Sequence, residues 1–86
     1  MGNSNSVKDM LGMQVTIMKG VVHNYEKEVI PSLRGNKTQK TTISVIEDLK
    51  NDIEASEKAL RFNHDTDALT KHINDLKTYF ALLRVL

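Results

Sequence analysis

Three histidines, His23, His64 and His72, are the side chains most open to chemistry in this chain. His64 and His72 lie near Asp65, Asp67 and Asp75, which offer oxygen ligands. A metal site on a helix needs donors at i,i+3 or i,i+4 and a third donor held close by. His72 and Asp75 meet the first requirement. No spacing in the chain specifies the third donor. The group therefore reads as solvated polar residues around a helix start, and neither a metal nor another cofactor is expected. His23 falls between an apolar stripe and a polar face, where a phosphotransfer histidine could stand. The His-x-x-Lys-Gly order of such sites is missing, because Lys19-Gly20 precedes His23.

Other chemistries are excluded more firmly. Cysteine is absent, which removes disulfides, thiolate metal sites and thiol nucleophiles together. No serine stands in a G-x-S-x-G elbow. Paired carboxylates occur only along the charged face of the middle helix, where no cleft would shift a pKa. No catalytic residue is assigned, and the chain reads as a non-enzyme.

Gly35-Asn36-Lys37-Thr38 shares its last letters with a phosphate-binding loop, but that motif needs G-x-x-x-x-G-K-[ST] after a buried strand. Arg34, Lys37 and Lys40 make the best basic patch. Phosphate backbones are held by several bases on one face. Three bases without an aromatic, followed by an acid-rich helix, leave a small nucleic-acid-binding regulator as a second alternative only. The first alternative is a peripheral membrane or matrix-type protein. Met1-Gly2-Asn3-Ser4-Asn5-Ser6 fits the M-G-x-x-x-[ST] pattern, which would place a myristoyl group on Gly2. One acyl chain binds membranes only marginally. Membrane contact is thus expected only if Gly2 is acylated, and the chain is otherwise placed in the cytoplasm.

The elements that must carry these residues are helices. Eighty-six residues allow one domain, which buries only about 60–65% of its unfolded surface and is marginal alone. Net charge is +1, so no global field draws the chain to nucleic acid or anionic lipid. The longest uncharged run, Met10 to Met18, is too short for a bilayer span of roughly 20 residues. Residues 1–6 read as a polar leader, with Ser6 and Asp9 as a capping box. Residues 7–86 read as a single helical domain.

Apolar residues at Val7, Leu11, Val15, Met18, Val22, Tyr25 and Val29 predict a helix over about 7–29. A second row, Met10, Met13, Ile17 and Val21, widens its stripe. Gly20 costs about 1 kcal/mol inside a helix, and Pro31 should kink or end it near Val29. A polar loop over 34–42 follows, from which Thr38, Thr41 or Thr42 would cap a helix over about 42–62. That helix has a narrow seam of Ile46, Leu49, Ile53 and Leu60, with Ser56 as its weak link. Glu54–Lys58 and Glu57–Arg61 are favourable i,i+4 pairs. Asn63 is a candidate C-cap, and Asp65 or Thr66 should start a third helix over about 67–86. Leu69, Ile73, Leu76, Phe80 and Leu83 line that helix, with Tyr79, Leu82 and Leu86 beside them.

The expected fold is all-α, an elongated three-helix chain forming a bundle or helical hairpin completed by dimerisation. A helix of 23 residues is about 35 Å long, more than a compact chain of this size would enclose. The first half of the chain is basic and the second half acidic, which favours a match between halves. The expected function is a protein–protein interaction module: a small subunit, adaptor, chaperone or inhibitor. Its partner would be a second copy or another protein. Its contact residues would be Met10, Met13, Ile17 and Val21 on the first helix and Tyr79, Phe80, Leu83 and Leu86 on the third. A Met-rich face can adapt to its partner.

Overall fold

A computed structural model describes residues 3–62 and 65–86 of the chain, with side chains described from Ser6 onward. Three helices account for nearly all of it, and no strand occurs among the described residues. Helix α1 spans Asn3–Asn24 and continues through a π-helical turn, Tyr25–Val29, and a last α-helical turn, Ile30–Ser32. Helix α2 spans Thr38–Phe62 and helix α3 spans Thr66–Val85. Each helix packs against the other two. The chain is rod-like, 51 × 18 × 17 Å, with a radius of gyration of 14.2 Å.

The ends of α1 differ from expectation. The helix starts at Asn3, so the expected polar leader is partly helical and Ser6 lies inside the helix rather than at its cap. Gly20 does not interrupt it. The expected break near Val29 is replaced by a widened turn, in which the Ile30 N–H donates to the Tyr25 carbonyl five residues back. Pro31 has no N–H to give, and its ring crowds the carbonyl four residues earlier. The π turn takes up one extra residue before Pro31, which then sits at the start of the final turn, where a missing donor costs least.

The loop is shorter than expected, and α2 begins at Thr38. The Leu33 N–H reaches the carbonyls of Val29 and Ile30 at 3.1 Å, which closes α1. Gly35 then turns the chain at φ +82°, a left-handed conformation that favours glycine. The start of α2 is held by Asn36, whose Oδ1 accepts from Thr38 N and Thr38 Oγ1, both at 3.0 Å. The capping oxygen is therefore that of Asn36 and not that of Thr38, Thr41 or Thr42. Gln39 Nε2 donates to the Ile30 carbonyl at 3.0 Å and ties α2 back to the end of α1. Asp65 caps α3 as the sequence predicts, its Oδ1 accepting from Asp67 N at 3.1 Å. Asn63 and His64 lie outside the described residues.

The core is one continuous cluster. Helix α1 contributes Leu11, Val15, Met18 and Val22. Helix α2 contributes Val45, Ile46, Leu49, Ile53 and Ala59, and α3 contributes Leu69, Ile73, Leu76 and Leu83. Burying each leucine is worth about 1.5–3 kcal/mol. Ser56 is fully buried among these residues and its hydroxyl has no partner. Leu60, expected in the seam, is only partly buried; Val45 and Ala59 are buried instead. Of the two Lys–Glu pairs that link distant parts of the chain, one follows the expected match of a basic first half to an acidic second half and the other runs the opposite way. Lys19 of α1 pairs with Glu57 of α2, and Lys50 of α2 pairs with Glu26 at 3.0 Å. These pairs are largely exposed and contribute little.

Candidate interaction face and an interhelical polar cluster

The two apolar rows of α1 have different fates. Leu11, Val15, Met18 and Val22 point at α2 and α3. Met10, Met13 and Ile17 do not, and remain 52%, 66% and 51% exposed. They recur at spacings of three and four, so they stack along one side of the helix. An open groove runs between this row and α3, lined by Met10, Met13, Gln14, Ile17, Ile73 and Lys77. A second, more apolar depression on the outer side is formed by Gly12, Met13, Thr16 and Ile17. Gly20 continues this side one turn beyond Ile17, and a Cβ added there would meet nothing within 4 Å.

The other predicted contact residues divide. Val21 and Tyr79 are partly buried against the core. Leu83 is 3% exposed and belongs to the core itself, so it is not available to a partner while the chain is folded. Its position at i+7 from Leu76 turns it inward with the rest of that stripe. Phe80 and Leu86 are exposed, and the Arg84 guanidinium stands over the Phe80 ring, 5.8 Å from its centre. The α3 residues thus do not form one surface. Arg34, Lys37 and Lys40 are all exposed at the α1–α2 connection. Gly2 lies outside the described residues. Among those residues no helix is long and apolar enough to cross a membrane.

A polar cluster that the sequence hinted at only in part lies between α2 and α3. His72 and Asp75, one turn apart on α3, are joined by Asp52 of α2. One donor atom from each lies within 4.8 Å of the others. His72 Nδ1 is 3.5 Å from Asp52 Oδ1, an electrostatic contact rather than a formed hydrogen bond. His72 Nδ1 and Asp52 Oδ2 are both buried and lack hydrogen-bond partners. Burial holds the Asp52 carboxyl above the usual carboxylate range, Asp75 adds to this, and His72 and Lys71 partly offset it. The Tyr79 phenol is raised by burial and then by the negative charges of Asp48, Asp52 and Asp75.

No family model, curated protein or solved structure matches the chain.

The third member of the cluster had a legible signal. Val45, Leu49, Asp52, Ser56 and Ala59 recur at spacings of 4, 3, 4 and 3. Asp52 therefore occupies a seam position, flanked by the buried Leu49 and Ser56. His72 occupies the equivalent place in the row Leu69, His72, Leu76, Tyr79 and Leu83. Two polar side chains in facing rows must meet, and they do.

Proposed function

We propose that the chain is a non-enzymatic helical interaction module, a three-helix bundle that self-associates through the outer face of α1. The observation that carries this reading is the exposed row Met10, Met13 and Ile17, backed by the groove shared with Ile73 and Lys77. Several large apolar side chains in one row on a small domain mark an interaction surface more often than chance exposure does. The face carries no charge between Lys8–Asp9 and Lys19, so two copies could meet there without burying an unpaired ion. Gly20 adds to the case. Glycine inside a helix costs about 1 kcal/mol against alanine. Among the described residues nothing lies within 4 Å of where its Cβ would stand, so none of them requires a glycine there. A close-packed partner helix supplies such a reason.

The test is sedimentation equilibrium of the full chain across a concentration series, beside Met13→Glu and Ile17→Glu. The wild type should shift towards a dimer as concentration rises. Both variants should remain monomeric with unchanged helical circular dichroism, because their side chains lie outside the core. A wild type that stays monomeric, or variants that associate as it does, would refute self-association through this face.

A further inference from the structure

We propose that Asp52, His72 and Asp75 form a three-ligand site for a divalent transition-metal ion of the zinc type, bridging α2 and α3. The geometry is close to what such an ion needs. Zinc bonds to nitrogen and oxygen are about 2.0–2.2 Å, which separates neighbouring ligand atoms in a tetrahedron by about 3.4 Å. Asp52 Oδ1 and His72 Nδ1 already stand 3.5 Å apart. The set as a whole lies within 4.8 Å. The proposal requires Asp75, one turn from His72, to close the remaining distance.

The chemistry fits as well as the spacing. A nitrogen donor with two carboxylates suits zinc, cobalt or nickel better than magnesium or calcium, which prefer all-oxygen shells. Two carboxylates and a neutral imidazole balance a 2+ ion. The fourth position falls to water.

The second observation is independent of the spacing. His72 Nδ1 and Asp52 Oδ2 are both buried without a hydrogen-bond partner. Buried polar atoms are nearly always satisfied, and two unsatisfied ones in a single cluster mark a place where a partner belongs. Two like-charged carboxylates around an imidazole in a half-buried site are disfavoured without a cation. The ion would join the two helices at the middle of their seam. Because the site exists only when α2 and α3 are packed, binding would stabilise the folded chain by mass action. This inference does not rest on self-association, since all three ligands come from one copy.

The experiment is thermal unfolding of the full chain, first stripped with chelator, then with zinc chloride or magnesium chloride. Cobalt(II) titration followed by visible absorption is run on the same samples. Zinc at a hundredfold excess over its dissociation constant should raise the midpoint by about 11–22 °C. Cobalt(II) should give the intense bands of a four-coordinate site. Asp52→Asn, His72→Gln and Asp75→Asn should each weaken zinc by more than about tenfold. The double variant His23→Gln/His64→Gln should keep the wild-type response. Asp75 has no buried side-chain atom without a partner, unlike Asp52 and His72, so Asp75→Asn decides the matter if the other two variants fold poorly. No zinc shift, an equal shift with magnesium, or a zinc shift that survives Asp75→Asn would overturn the proposal.

Discussion

Gly20→Ala separates folding from association more cleanly than any other change in this chain. Gly20 lies inside an uninterrupted α1, and its backbone is helical. An alanine there removes backbone freedom from the unfolded chain and should stabilise the helix by about 1 kcal/mol. The new methyl group meets nothing within 4 Å in this chain, so no packing cost offsets the gain. For a chain of this length, 1 kcal/mol moves the thermal midpoint by about 4–8 °C. At a protein concentration low enough for monomers, circular dichroism should record a rise of that size. The same methyl group stands beside the row of Met13 and Ile17. If two α1 helices pack there, it holds them apart, and self-association should weaken by about tenfold, or 1.4 kcal/mol. One substitution thus raises monomer stability and lowers dimer affinity. Sedimentation equilibrium at several concentrations reads the second quantity. A variant that is more stable and associates just as tightly would show that Gly20 has no part in the interface. A variant that is less stable as a monomer would show that the surroundings of Gly20 in α1 have been misjudged.

The remaining predictions concern the core and its polar row. Ser56→Ala should raise the urea midpoint, by about 1 kcal/mol in stability, because it deletes a fully buried hydroxyl that has no partner; a loss of stability would mean that the hydroxyl is satisfied. Leu69→Ala should cost about 2–5 kcal/mol, since the side chain is fully buried where the three helices meet, and urea unfolding measures it. Asp52 gives the stability a pH dependence in the presence of chelator. Its carboxyl is raised in the folded chain, so the folded state holds that proton more tightly than the unfolded state. Its contribution is favourable below the ordinary carboxylate range and is lost as pH rises through the raised value. Asp52→Asn should flatten that fall in a series of urea titrations across the acid range; an unchanged slope would place its origin elsewhere.

Much of this architecture was legible from periodicity alone. The core row of α1, Leu11, Val15, Met18 and Val22, and most of the α3 stripe follow from spacings of three and four. The cap of α3 was narrowed to Asp65 or Thr66, and Asp65 fills it because its side chain acts on a backbone two residues away. Two features were not legible and a third was legible only in part, and each depends on something beyond local pattern. Pro31 was read as the end of a helix, but the π turn at Tyr25–Val29 absorbs it, with the widened ring closing at Ile30. The threonines are the natural candidates for the cap of α2, yet Asn36 reaches forward to Thr38 just after Gly35 has turned the chain. The third member of the polar cluster required a residue from another helix. The paired carboxylates of α2 are expected along its charged face, and nothing there singles out Asp52. Its heptad position between Leu49 and Ser56 was the better guide.

The exposed row on α1 follows from a geometric constraint, not from an accident of side chains. Successive residues on a helix are rotated by about 100°, so Leu11, Val15, Met18 and Val22 share one side. Met13 and Ile17 then lie well over 90° away from the middle of that row. In an arrangement of three mutually packed helices, each helix has two neighbours, and both lie on the same side of it. The α1 surface that α2 and α3 can cover is therefore limited to the first row and its flanks. That is why Val21, beside the α3 contact, is partly buried while Met13 is the most exposed of the four. No rotation of α1 could bury both rows: turning Met13 inward would expose Leu11 or Val15 by the same angle. Nor can the row be closed from within by repacking Leu83 or Tyr79, which α3 already commits to the core. A helix with two apolar rows and neighbours for only one leaves the other exposed, and this exposed row is what the proposed self-association would cover. On this arrangement a second α1, which presents the same uncharged row, is the simplest surface of matching chemistry.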